Sequence, residues 1–116
     1  MENLDMAGKF EVYKDKAGEF RFRLKAGNGE AILVSEGYKT KASCLNGIAS
    51  VQKNGADAAR FEKKVAKNGK HHFSLKSANH QVIGTSEMYE SESAMNNGIA
   101  SVQRNAASTA IDDKTE

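Results

Sequence analysis

The heptapeptide Asn46-Gly-Ile-Ala-Ser-Val-Gln52 recurs as Asn97-Gly-Ile-Ala-Ser-Val-Gln103, 51 residues further on. At that offset, residues 10–56 and 61–107 align without a gap and agree at 21 of 47 positions. Unrelated chains of ordinary composition agree at roughly one position in fifteen, so the chain is an internal duplication. A unit of about fifty residues buries too little apolar surface to stand alone. The two copies must therefore complete one core between them.

Within the first copy, Phe10 to Lys14 mixes aromatic and β-branched residues with charge, which reads as a strand. Asp15 to Gly18 is a turn. Phe20-Arg-Phe-Arg-Leu-Lys25 alternates apolar and basic residues, the mark of a half-buried strand. Gly27-Asn28-Gly29 is a hairpin loop, because asparagine and glycine accept positive φ. Glu30 to Ser35 is the third strand. An odd-length loop places Leu24 and Ile32 on one face, with Leu33 turned away. The period then changes. Thr40 is the expected N-cap, Cys44, Ile48 and Val51 form one helical stripe, and Asn54-Gly55 ends the helix. Copy two repeats the scheme with strands Phe61 to Val65, Lys70 to Lys76 and Gln81 to Ser86. Ser91 is its cap, and Met95, Ile99 and Val102 are its stripe.

The fold that follows is α+β: two tandem β-β-β-α repeats in a two-layer domain. The sheet is largely antiparallel, with two helices on one face about a pseudo-twofold axis. Residues 10–105 form a single domain of repeat one (10–56) and repeat two (61–105). Residues 1–9 and 106–116 read as flexible termini. Because both halves of the core lie in one chain, the expected state is a monomer with the repeats paired internally.

The pattern Phe20-Arg-Phe-Arg-Leu-Lys25, Asn28-Gly29, Glu36-Gly-Tyr38, Lys41-Ala-Ser-Cys44 and Asn46-Gly-Ile-Ala-Ser-Val51 resembles the YegP-like family of small bacterial proteins of unknown function. The resemblance covers both repeats. It implies β-β-β-α units assembled into one sheet with helices packed on it, and it brings no catalytic residue to carry over. Copy two departs from the pattern, with His71-His72 at Phe20-Arg21 and Met95 at Cys44.

Composition excludes several classes. The longest uninterrupted apolar run, Ala31 to Val34, is far too short to span a bilayer. Met1 to Lys9 has no apolar stretch of the kind a signal peptide needs, so a cytoplasmic location is expected. The single cysteine forbids an internal disulfide and a thiolate cluster. A net charge of +2 is small for a dedicated nucleic-acid binder.

Candidate chemistry is sparse. Cys44, on the helix stripe, reads as a small buried hydrophobe, as Met95 in its place suggests. His71 and His72 are adjacent on a strand and point to opposite faces, while His80 lies in a turn, so no metal site is expected. Gly47 and Gly98 interrupt helices at about 1 kcal/mol each relative to alanine. They flank Ile48, Ile99, Val51 and Val102, and they imply a close approach of backbone to backbone. The remaining candidate is the strand face turned away from the helices. There Tyr13, Arg21, Arg23 and Lys25 come together beside Glu11, and copy two adds Glu62, Lys64, His72, Ser74 and Lys76. No nucleophile–base or carboxylate pair is visible, and no cofactor is implied. The sequence reads as a non-enzymatic binding or interaction module of unknown partner. Weak nucleic-acid binding through the basic face is the alternative, and an enzyme is the lesser one.

Overall fold

The computed structural model describes residues 8–115. The elements run β1 (Lys9–Lys14), β2 (Phe20–Lys25), β3 (Ala31–Val34), α1 (Lys41–Asn54), β4 (Phe61–Val65), β5 (His71–Lys76), β6 (Val82–Thr85), α2 (Glu92–Asn105) and β7 (Ile111–Asp113). A single 3-10 turn, Ala58–Arg60, leads into β4. The seven strands form one sheet in the order β4-β5-β6-β3-β2-β1-β7. Each repeat is thus an antiparallel three-strand meander, and the repeats join through β3 and β6.

That junction identifies the pseudo-twofold axis. Its register pairs Val34 with Thr85, which are themselves equivalent at the 51-residue offset. Both helices lie on one face, and each contacts strands of both repeats. The core between the layers holds Phe10, Phe22, Leu24, Leu33, Ile48 and Val51 from copy one, with Phe73, Leu75, Met95, Ile99 and Val102 from copy two. The caps are as read: Thr40 accepts from the Ser43 N–H and Ser91 from the Ala94 N–H.

The hairpin register differs in one respect. The loop has the odd length expected: the Ala26 N–H donates to the Glu30 carbonyl, and Gly29 takes φ +87°. In copy two His80, at the equivalent position, takes φ +70°. Beyond the loop, however, a bulge intervenes. Lys25 pairs with Ala31 but Leu24 pairs with Leu33, so Ile32 is the extra residue. Ile32 and Leu33 are both buried instead of one in and one out. The bulge lets two consecutive apolar residues reach the core, which strict alternation forbids.

Leu33 makes a demand across the axis. Its equivalent is Gly84, and a Cβ on Gly84 would lie 2.6 Å from Leu33 Cγ. A leucine at both positions would collide. Gly55 and Ala106, equivalents at the helix ends, show the same arrangement: a Cβ on Gly55 would fall 2.3 Å from that of Ala106. Residues near a twofold axis meet their own equivalents, and at two such places the copies have diverged into a large–small pair.

The C-terminal segment also differs from expectation. The residues after Ala106, read as a frayed tail, include β7, which pairs parallel to β1. The Phe10 N–H donates to Ala110 O at 2.9 Å and the Lys114 N–H to Val12 O at 2.8 Å. Side chains hold it as well: Lys41 Nζ lies 2.6 Å from Asp113 Oδ2, and Lys9 Nζ 3.3 Å from Asp112 Oδ2. Its three residues are too short and too polar to show alternation, and their partners lie some hundred positions away. At the other terminus Gly8 is buried, its N–H donating to Asn105 Oδ1. The rest of the expected flexible N-terminus, residues 1–7, lies outside the described residues.

Candidate functional site

Strand alternation brings the proposed surface residues together. In the β1–β2 register Tyr13 is opposite Arg21, Glu11 opposite Arg23, and Lys9 opposite Lys25. All sit on the face away from the helices. They are not a set of free cations, however. The carboxylate of Glu11 lies beneath the arms of its neighbours, with its side chain only 5 % exposed. Arg23 Nε is 3.2 Å and Lys25 Nζ 3.3 Å from its two oxygens. Arg21 Nε donates to Asp15 Oδ2 at 2.7 Å, and its Nη1 reaches the Ser35 carbonyl at 3.2 Å. The Arg21 hydrogen bond holds the Asp15 carboxyl below the usual carboxylate range, and Asp15 in turn raises Arg21.

Tyr13 is engaged too. The Arg23 guanidinium lies over its ring, 4.2 Å from the centroid. A base stacking on Tyr13 would have to displace Arg23 or use the opposite ring face. In copy two the arrangement is thinner: Lys76 Nζ is 2.8 Å from Glu62 Oε1, and Lys64 3.8 Å from the same atom. Ser74 is buried at the position equivalent to Arg23. Among the ion-paired side chains named here, Arg21, Arg23, Lys25, Lys64 and Lys76 outnumber Glu11, Asp15 and Glu62. Where the repeats meet, a groove of about 420 Å³ is lined by Arg21, Val34, Ser35, Glu36, Thr85, Ser86 and Glu87.

The helix glycines have a cause the sequence did not show. The close approach is by a side chain, not by another backbone. A Cβ on Gly47 would lie 2.5 Å from the Tyr38 hydroxyl and 2.9 Å from Phe22 Cε2. On Gly98 it would lie 2.3 Å from the Tyr89 hydroxyl. Each tyrosine stacks on its own repeat's phenylalanine, Tyr38 on Phe22 and Tyr89 on Phe73. A short bridge between Phe20 and Tyr38, repeated as His71 and Tyr89, sets each ring under the helix. Burial raises both phenols above their usual pKa. Ile48, Val51, Ile99 and Val102 are buried on the stripes.

Cys44 is fully buried, and burial pushes its thiol up to about 11. Such a thiol carries negligible thiolate near neutral pH. Among the described residues, no group of three or more His, Cys, Asp or Glu side chains is arranged to hold a metal ion. No helix among them is long and apolar enough to cross a membrane.

Comparison with known proteins places the architecture in context. The profile of a domain of unknown function, DUF1508, matches twice, at residues 15–62 and 66–113, one match per repeat. A UPF0339 protein from the ptx operon 5′ region of Stutzerimonas stutzeri is 59% identical, covering 87% of this chain and 91% of that one. The UPF0339 protein YegP of Escherichia coli K12 is 53% identical, covering 95% of this chain and all of its own length. Among solved structures, the solution NMR structure of E. coli YegP, a protein of unknown function, superposes with a TM-score of 0.91 at 51% identity, covering 97% of each chain. That of a UPF0339 protein from Shewanella oneidensis gives 0.89 at 54%, covering 95% and 93%.

Proposed function

This chain belongs to the DUF1508 family of unknown function, and we propose that it works as a non-enzymatic, monomeric interaction module. Its contact surface is the open face of the sheet, and its partner is an acidic protein surface. The observation that supports this reading is the Glu11 cluster. One nearly buried carboxylate fixes Arg23 and Lys25 on its two oxygens, while Asp15 fixes Arg21. Long cationic side chains ordinarily lose rotamer freedom on binding. Here much of that loss has already occurred in folding, so the guanidinium and ammonium groups are presented in place. Because the cations outnumber the carboxylates beneath them, they retain the capacity to meet further acids.

An acidic protein fits this face better than RNA does. Sheet surfaces that read RNA stack bases on two or three exposed rings. Among the named face residues the rings are Tyr13 and the His72 imidazole, in different repeats, and Arg23 lies over Tyr13.

The test is an NMR titration of the labelled protein with a glutamate-rich peptide and with short single-stranded RNA, at low and near-physiological salt. Saturable shifts on β1 and β2 with the acidic peptide, abolished in Arg21→Ala/Arg23→Ala, support the reading. A response to RNA alone moves it to nucleic acid. No response at low salt, or shifts scattered over all lysines and arginines, sinks it. Sedimentation should give a mass near 12.6 kDa, and twice that value contradicts the monomer.

A further inference from the structure

We propose that the outer edge of β4 is a strand-addition site for an extended acidic segment of another protein, bound as an eighth strand. The template is within the molecule. β1 and β4 are equivalent strands, with Phe10 matching Phe61, and each begins its repeat. The outer edge of β1 holds β7, in which an isoleucine and two aspartates run parallel, Ile111 beside Phe10 and Asp113 beside Val12. The outer edge of β4 has no strand against it among the described residues.

The outward backbone groups of β1 that bond β7 belong to Phe10 and Val12. Their equivalents are Phe61 and Lys63. The Phe61 N–H is already taken by the Ala58 carbonyl. The Phe61 carbonyl and both backbone groups of Lys63 remain as the docking ladder.

Charge selects what docks. Arg60 stands where Lys9 stands in copy one, and Lys9 holds Asp112. Arg60 Nε is buried without a hydrogen-bond acceptor, its nearest carboxylate oxygen being Asp57 Oδ2 at 3.7 Å. Arg60 thus already pairs with Asp57 in its own turn, and the cation left to select an incoming acid is Lys63. Lys63 replaces the buried Val12 and is exposed. It offers a cation directly beside the position of Asp113. Opposing this, Glu92 replaces Lys41, so the second acid is held from the strand and not from the helix.

A second copy of the chain is the competing occupant, and one contact in that pairing is unfavourable. Antiparallel self-pairing about Lys63 would match Glu62 with Lys64 and Phe61 with Val65. It would also set Lys63 directly against Lys63, and like charges directly opposite destabilise a ladder. A partner with a carboxylate there relieves the repulsion. The edge thus suits an apolar–acid–acid segment, which places a carboxylate where a second copy would place Lys63. Lys64 of β4 belongs to the basic face, but the β4 backbone edge and Lys63 are distinct from the Arg21, Arg23 and Lys25 cluster, so shifts at Phe61 and Lys63 are read apart from shifts on β1 and β2.

The experiment titrates the labelled full chain with a synthetic nonapeptide of the sequence of residues 107–115, which carries the Ile-Asp-Asp triplet. Saturable shifts confined to Phe61–Val65 and Arg60 are expected. They should be lost in Lys63→Glu, and restored there by a peptide carrying lysines in place of both aspartates. Because Lys63 is exposed, the variant's unperturbed spectrum elsewhere verifies its fold. Absence of saturable shifts at β4 overturns the proposal. So does a response confined to β1 and β7, or a response of Lys63→Glu equal to that of the parent. Concentration-dependent shifts at Phe61–Val65 without peptide, accompanied by a doubled mass, overturn it in favour of self-association.

Discussion

Exchanging Leu33 and Gly84 tests the pseudo-twofold junction directly. Leu33 is fully buried, and the space its side chain fills is the space a side chain on Gly84 would need. Leu33→Gly removes a whole buried side chain. Truncating such a leucine to alanine costs about 2–5 kcal/mol, and the further step to glycine in a strand adds roughly 0.5–1 kcal/mol. Gly84→Leu alone drives its Cβ to 2.6 Å from Leu33 Cγ, an overpacking that costs about 1–3 kcal/mol. The double exchange moves the leucine to the equivalent place across the axis, where the vacated volume receives it. The loss should then fall to about 1–2 kcal/mol, a favourable coupling of at least about 1.5 kcal/mol relative to additivity. Urea unfolding followed by far-UV circular dichroism measures all four proteins, with a constant m-value showing that the denatured state is unchanged. If the exchanged protein is as unstable as the two single losses together, the packing argument is wrong.

Three further outcomes follow from the same geometry. Gly47→Ala and Gly98→Ala should lower the melting temperature despite the helix propensity of alanine, since the new methyl meets a tyrosine and a phenylalanine ring, with Leu variants worse by about 1–3 kcal/mol. A raised melting temperature for both alanine variants would show that the tyrosines yield. The Asp113 carboxyl is held well below the usual range, first by Lys41 and then by Thr115. Its contribution to β7 docking is therefore fully present above the ordinary carboxylate pKa of about 3.9, and is lost as pH falls from there through the lowered folded value. Amide exchange at Phe10 and Val12 should accelerate over that acid range in the parent, and Asp113→Asn should remove this part of the dependence. Cys44, with its thiol at about 11, should resist alkylation near neutral pH until the protein unfolds, and prompt labelling of the native state would refute its burial.

The sequence determined the duplication, the order of elements as far as the second helix, the helix caps at Thr40 and Ser91, and the buried stripes through Ile48, Val51, Ile99 and Val102. These are local periodicities and caps, set by residues three or four apart. It also placed Tyr13, Arg21, Arg23 and Lys25 on one face, because alternation along a strand is local too. What the tertiary structure decided depends on residues distant in sequence. Asp15 and Glu11 each find a cation only once β1 and β2 are in register, which turns a row of charges into paired groups. Gly47 is a glycine because Tyr38 is bridged beneath it, and Gly84 because Leu33 crosses the axis. β7 is a strand because the edge of β1, about a hundred residues earlier in the chain, supplies its ladder and Lys41 its counter-charge. An edge, a clash and an ion pair are properties of two surfaces at once, and only folding brings the second surface to the first.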